Sequence, residues 1–453
     1  MQENEYPFES GIRFGLRKTG VNPRDMQALS TALNFKCSDG GIDFVPAKTP
    51  FTSNFTLDWP FPQLLVLQKL ILLCERTRIS EWDSNLGVFV PKITDLAVDD
   101  VWDYADYGDY VVLCSSGIII ERAIEGMYTS YTGSRMPNAR TICDFKGQMI
   151  AGNIPGWYDA STSFVTWGRI GTIDFDLGQT DLSATSRGAI SQQAGYGPLR
   201  GGGVLLKVAR LGDVIMLYGS NTVEMLTPVK SPVATFGFKE IFPFGILDKG
   251  AVGGTKDEHL IISSDGTLYK VSTQGTEKLG YKEFFANFAG EKIQITYNGV
   301  ANEYYISNGL RTFIYSKGGL TETGQTITSG GVDNGVFECI CHGVVDTNLM
   351  VTDRISFKQR SMKTIYAIEI SAETAEQLEV AVDWRNAVTN VWRRTPFRRT
   401  GPHGVVTIPC SGVDFRIVVR QTNPVACLID RIVVRWKLTD MRSVRGLFDG
   451  GVK

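Results

Sequence analysis

Histidine is almost missing from this chain: there are three in 453 residues, His259, His342 and His403. Imidazole chemistry therefore has few places to sit. His259 precedes the apolar run Leu260-Ile261-Ile262, a strand start, and His403 lies in the turn-like Gly401-Pro402-His403-Gly404. Long apolar runs are missing too. The most apolar stretch, Leu64–Cys74, is broken by Gln68 and Lys69, and a membrane helix takes about 20 residues. Met1–Tyr6 is polar and acidic, so no secretory leader is expected. A soluble chain that folds in a cytoplasm follows as the expectation.

The phosphate- and nucleotide-binding loops are equally sparse. Gly201-Gly202-Gly203 precedes a strand at Val204, but no Gly-Lys-Ser/Thr follows it, so there is no P-loop. No GxGxxG opens a helix after a strand, and the GxSxG elbow of serine hydrolases is missing. Cys339-Ile340-Cys341-His342 offers thiolates and an imidazole, yet no second pair completes four metal ligands. In a strand its two cysteines would face away from the histidine. Ser263-Ser264-Asp265-Gly266-Thr267 has the look of a sialidase Asp-box but the wrong spacing to Tyr269, and a hairpin turn accounts for it. Asp99/Asp100 and Asp103/Asp106 are pairs that any acidic surface loop provides, so they do not specify a glycosidase. The expectation is no catalytic residue, no cofactor and no metal.

What the chain has is glycine, 48 residues of it, with 11% aromatics. That mixture suits many short strands joined by tight turns. Eight cysteines sit mostly inside apolar runs at irregular spacing, the pattern of reduced, buried thiols. Strand-like runs recur at Tyr110–Ser115, Ile118–Arg122, Gln148–Gly152, Val214–Tyr218, His259–Ser263 and Glu303–Ser307. Several form hairpins. Asp213–Tyr218 turns through Gly219-Ser220-Asn221 into Thr222–Leu226, and His259–Ser264 turns through Asp265-Gly266 into Thr267–Ser272. Only Met26–Leu33 and Tyr281–Phe288 read as short helices.

Hairpins returning every roughly 40–50 residues without a strict consensus are how propeller blades look in sequence. The expected fold is all-β: an irregular β-propeller over residues 59–352 and a β-sandwich-like domain over 353–440. Residues 1–58 form an N-terminal segment packing on the body or a neighbour, and 441–453 a tail. Thr323–Asn334, TGQTITSGGVDN, reads as a loop or linker. Beyond it, longer alternating strands such as Phe415–Arg420 and Cys427–Leu438 suit a half-buried sheet.

Charge divides along the same line. Residues 354–453 hold 17 Lys+Arg against 9 Asp+Glu, leaving 29 against 39 for the rest. A basic terminal module can meet an acidic partner or a phosphate backbone. Its densest part is Trp392-Arg393-Arg394 and Phe397-Arg398-Arg399, with Arg385 upstream. Arginines among aromatics grip phosphates and stack on bases. The same residues anchor protein–protein contacts, and an inter-subunit or partner interface is the favoured reading.

Several stretches together resemble the packaged-DNA stabilisation and tail-nozzle (hub) proteins of short-tailed bacteriophages. Trp102-Asp103-Tyr104-Ala105-Asp106-Tyr107-Gly108-Asp109-Tyr110 resembles that family's blade segment. Cys143-Asp144-Phe145-Lys146-Gly147-Gln148 with Ala151-Gly152-Asn153 is similar to its following strand pair, and Val165-Thr166-Trp167 to the next. Leu211-Gly212-Asp213 through Tyr218-Gly219-Ser220 resembles its most regular hairpin, Asn34 to Gly41 its opening, and Pro424 to Arg435 its closing sheet. The resemblance implies a non-enzymatic virion protein made in the host cytoplasm. It would form a homohexameric ring beneath the portal and adaptor, retain packaged double-stranded DNA and conduct it at ejection, and carry needle, fibres or spikes. The alternative from another class is a receptor- or glycan-binding or cleaving propeller of the tail.

Overall fold

The computed structural model describes residues 4–8, 15–18, 28–52, 57–67, 70–108, 110–123, 125–131, 138–155, 161–168, 170–171, 194–229, 235–357, 361–387, 391–422, 425 and 427–439. The predicted tail lies outside them. The chain folds as two compact units. One holds Thr49–Leu310 and Ile327–Cys341. The other is assembled from Met1–Lys48, Arg311–Thr326 and His342–Lys453, three stretches where the sequence reading drew one join near residue 353.

The first unit is a β-propeller. Five antiparallel four-stranded sheets follow one another in the chain, each in simple meander order, and they begin with Gln63–Leu67, Asp103–Asp106, Thr141–Phe145, Leu205–Leu211 and Val252–Gly254. The pair Gln294–Asn298 and Glu303–Ser307 comes next, then the hairpin Thr326–Asp333 and Val336–His342. The first strands of all seven groups line one central cavity, so seven blades stand around a common axis. The ring closes between its ends in sequence: the Leu64 amide of the first blade donates to the Ser329 hydroxyl of the last.

Both predicted hairpins form. Tyr218 pairs with Val223, and Ile262 with Leu268 across a turn in which Gly266 takes φ +84°, a backbone angle an L residue rarely adopts. Large apolar side chains fill the wedges between sheets. Trp102, Leu72, Leu113 and Phe61 pack between the first two blades, and Trp167, Phe145 and Phe236 between the third and fourth. Burial of each such side chain stabilises by about 1.5–3 kcal/mol. The expected helix at Tyr281–Phe288 is present as Lys282–Phe285 followed by a 3-10 turn, Ala286–Phe288.

The predicted linker is a strand. Thr326–Asp333 is the innermost strand of the seventh blade, and Thr326 to Ser329 are buried. Its glycines, which suggested a loop, serve close packing: a Cβ on Gly331 would stand 2.7 Å from Val66 Cβ. Loop-like composition here answers the crowding of neighbouring strands at the axis.

The second unit is β-sandwich-like. One sheet runs Phe35–Cys37, Ile42–Phe44, Ile429–Leu438, Lys363–Ala372, Val405–Gly412, with Asn4–Phe8 also on Ile429–Leu438. In the other, Gly319–Thr323, Leu29–Leu33, Asn348–Thr352, Asp414–Gln421 and Glu379–Arg385 lie in that order. Phe357 packs on Trp436 of the first sheet and Phe415 of the second, at 4.6 and 5.8 Å between ring centroids. The expected helix Met26–Leu33 is overturned where it is described. Leu29–Leu33 is a strand antiparallel to Asn348–Thr352, because ladder bonds to a distant segment outweigh a local helical spacing of a few residues.

Candidate functional site

All six predicted interface residues fall on one arm of the sandwich-like unit. Arg393–Arg394 and Arg398–Arg399 are short strands paired side by side to Glu379–Arg385, with Arg394 opposite Asp383 and Arg399 opposite Glu379. The arm is a stack of guanidinium groups on rings. Trp392 lies between Arg385 and Arg416, 4.5 and 4.4 Å from its ring centroid. Phe397 takes Arg420 at 3.7 Å and Arg394 at 5.8 Å, and Arg393 covers Trp384 at 5.5 Å. Each exposed contact of this kind contributes about 0.5–1 kcal/mol.

The six residues are not equivalent. Arg394 is committed to the fold through a bidentate pair with Asp383, 2.7 and 2.9 Å. Arg398 donates to the Thr407 carbonyl at 2.8 Å. Arg393 and Arg399 are exposed and make no side-chain hydrogen bond or ion pair among the described residues. Val391, 85% exposed, stands beside them. Sequence reading missed Arg416 and Arg420, which complete the stack from the strand Asp414–Gln421. Their signal was present: residues 416, 418 and 420 share one face of a strand.

The second constellation was not anticipated. On the propeller axis lies a cavity of about 500 Å³. At the end where the innermost strands begin, Lys249 of the fifth blade, 2% exposed, reaches to the far side of the ring. Its ammonium donates to the carbonyls of Val101 and Arg140, at 2.7 and 2.6 Å, which lead into the second and third blades. It also stands 3.4 Å from Asp103 Oδ2. Burial by itself would push the lysine down, but Asp103 and Asp100 hold it above its ordinary value. Lys292 bridges Asp100 at 3.0 Å and Asp248 at 3.7 Å beside it. These bonds tie four blades together and close that end of the hole.

Asp103, which in the sequence reads as half of a surface-type pair with Asp106, is thus a buried anchor. Thr141 donates to it at 2.5 Å, and Lys207 stands 3.6 Å from its other oxygen. Asp99 bonds Ser116 at 2.6 Å, so neither acidic pair is arranged as two free carboxyls facing a groove. His259 is buried with Nδ1 2.7 Å from the Tyr218 hydroxyl, and burial lowers its pKa to about 4. Burial pushes Asp265 up, but bonds from Ser263 and Thr267 of its own hairpin turn and from Lys282 of the following helix hold it well down the carboxylate range. Cys339 and Cys341 are buried in the strand Val336–His342. All eight cysteines are buried thiols. Among the described residues no group of three or more His, Cys, Asp or Glu is placed to hold a metal.

No family model matches the chain, and no curated protein matches its sequence. Solved structures similar to it include Hsv2 of Kluyveromyces lactis, 10% identical over 62% of this chain and 84% of that one, with a TM-score of 0.35. The Pan2 WD40 domain of Neurospora crassa is 9% identical over 64% of this chain and 85% of that domain, TM-score 0.37. PorZ, a bacterial surface component of the type-IX secretion system of Porphyromonas gingivalis, is 11% identical over 64% of this chain but 35% of its own length, TM-score 0.36. The assignment of blades rests on the ring of strands itself.

Proposed function

We propose that this chain is a non-catalytic structural subunit of a short bacteriophage tail, a nozzle or hub protein that forms a ring and extends the channel below the portal and adaptor. The observation that carries this reading is where the family-like segments fall. Trp102 to Asp106 opens the second blade, Cys143 to Asn153 spans the first hairpin of the third, and Leu211 to Ser220 the first hairpin of the fourth. They occupy corresponding inner positions of successive blades, which is how a shared propeller framework, and not chance composition, would distribute them.

The closed end of the propeller constrains the mechanism. Duplex DNA does not thread a hole bridged by Lys249, so the conduit lies between copies of the chain around the ring. A heterologous contact that closes by rotation builds such a ring. DNA then meets the walls by shape and charge, with no base-specific reading. The outward arginines of the arm, Arg393 and Arg399, dock a neighbouring tail component.

Immunogold electron microscopy of purified virions with antibody to this chain tests the reading. Label on the short tail beneath the capsid vertex is the expected result. Label on fibre tips would favour the receptor- or glycan-binding alternative, and unlabelled particles would overturn the assignment.

A further inference from the structure

The geometry points to the blind axial cavity of the propeller as a binding site for a small multivalent oxyanion, held by Lys207, Arg210 and Lys256. This does not depend on the tail assignment, because the cavity and its charges lie within the propeller unit.

Three observations carry it. The first is charge. Of the residues lining the cavity, Lys207, Arg210 and Lys256 are cations and Asp103 and Asp144 are carboxylates. Asp103 is already saturated, with Thr141 and Lys249 on one oxygen and Lys207 near the other. Three lining cations stand against two carboxylates, a local excess of positive charge in an acidic unit.

The second is spare donor capacity. Lys207 holds one carbonyl, that of Val252 at 3.2 Å, and a distant carboxylate oxygen. Arg210 donates from Nε to the Gly212 carbonyl at 3.1 Å and meets Asp144 only at 3.9 Å. Lys256 is exposed and has no carboxylate within salt-bridge distance among the described residues. An oxyanion supplies what these groups lack, since charge-assisted bonds are the strong ones. Nearby His259 stays neutral near pH 7, so it adds no charge to the site.

The third is shape. The Lys249 bridge seals one end, and about 500 Å³ of space remains above it, within the usual size of small-molecule sites. Within a concave wall of protein an ionic contact is screened less than on a flat surface.

The test is isothermal titration of the full chain with inorganic pyrophosphate at fixed ionic strength. One saturable site is expected, weakened by about tenfold in Lys256→Gln and again in Arg210→Gln. Lys239→Gln, on an outer strand of the fourth blade, should leave the affinity as it is. Both Lys256 and Lys239 are exposed, so their variants fold and the comparison stays decisive. No saturable heat from the unmodified chain would overturn the proposal. So would affinity unchanged in both cavity variants, or reduced equally in Lys239→Gln.

Discussion

The closed end of the propeller and the arginine arm of the sandwich-like unit are both built from cations, used in opposite ways. At the closed end Lys249 is out of water and every donor must find a protein acceptor. It finds two carbonyls and a carboxylate on other blades. At the arm, Arg393 and Arg399 keep their hydration, and rings or paired carboxylates hold the rest of the stack. A solvated charge contributes little to the fold, and for that reason it remains available to a partner. Burial, and not residue type, separates a structural cation from a recognition cation.

The comparison is broken most directly at Lys249. Lys249→Met leaves Asp103 buried with one ion partner fewer and two carbonyls without a donor. A loss of about 3–5 kcal/mol is expected, read as a lowered urea midpoint. An unchanged midpoint would show that the bridge does not hold the blades. Close packing at the axis gives the next effect. Gly331→Ala places a methyl 2.7 Å from Val66 Cβ, and about 1–3 kcal/mol should be lost.

His259 sharpens the same side of the comparison through pH. Its folded pKa, about 4, lies below the unfolded value of about 6.5, so the unfolded chain binds the extra proton first. The stabilisation is therefore complete above pH 6.5 and is lost as pH falls toward 4. Between neutrality and about pH 5 the cost should reach about 2 kcal/mol. Denaturation of His259→Phe at the two pH values should show that much less pH dependence; an equal dependence would rule this histidine out.

The smallest effect on stability is expected at the arm. The Arg393→Ala, Arg399→Ala double variant should lose no more than the one Arg393 ring contact, at most about 1 kcal/mol, while docking to a tail ring fails in a virion-assembly assay. Arg394→Ala breaks the pair with Asp383 and should cost about 1 kcal/mol or more. If instead the double variant is the less stable, the division between outward and committed arginines is wrong.

Strands and hairpins were legible because their signals are local. Alternation sets which side chains are buried, and Asp265-Gly266 sets a turn within a few residues. The arm was legible as composition, and its dependence on Arg416 and Arg420 became visible only through strand pairing. The helix expected over Met26–Leu33 was misread because eight residues of helical spacing carry too little to compete with the sheet partners of Leu29–Leu33. Thr326–Asp333 was misread because glycine marks both a flexible loop and a strand pressed against its neighbour.

An all-β chain of short strands, buried thiols and a basic arm can be read from neighbours along the chain. That seven strands share one axis, that Asp103 meets Lys249, and that the hole is bridged depend on long-range packing. Those contacts join residues far apart in sequence, and no local pattern carries the free energy that selects them.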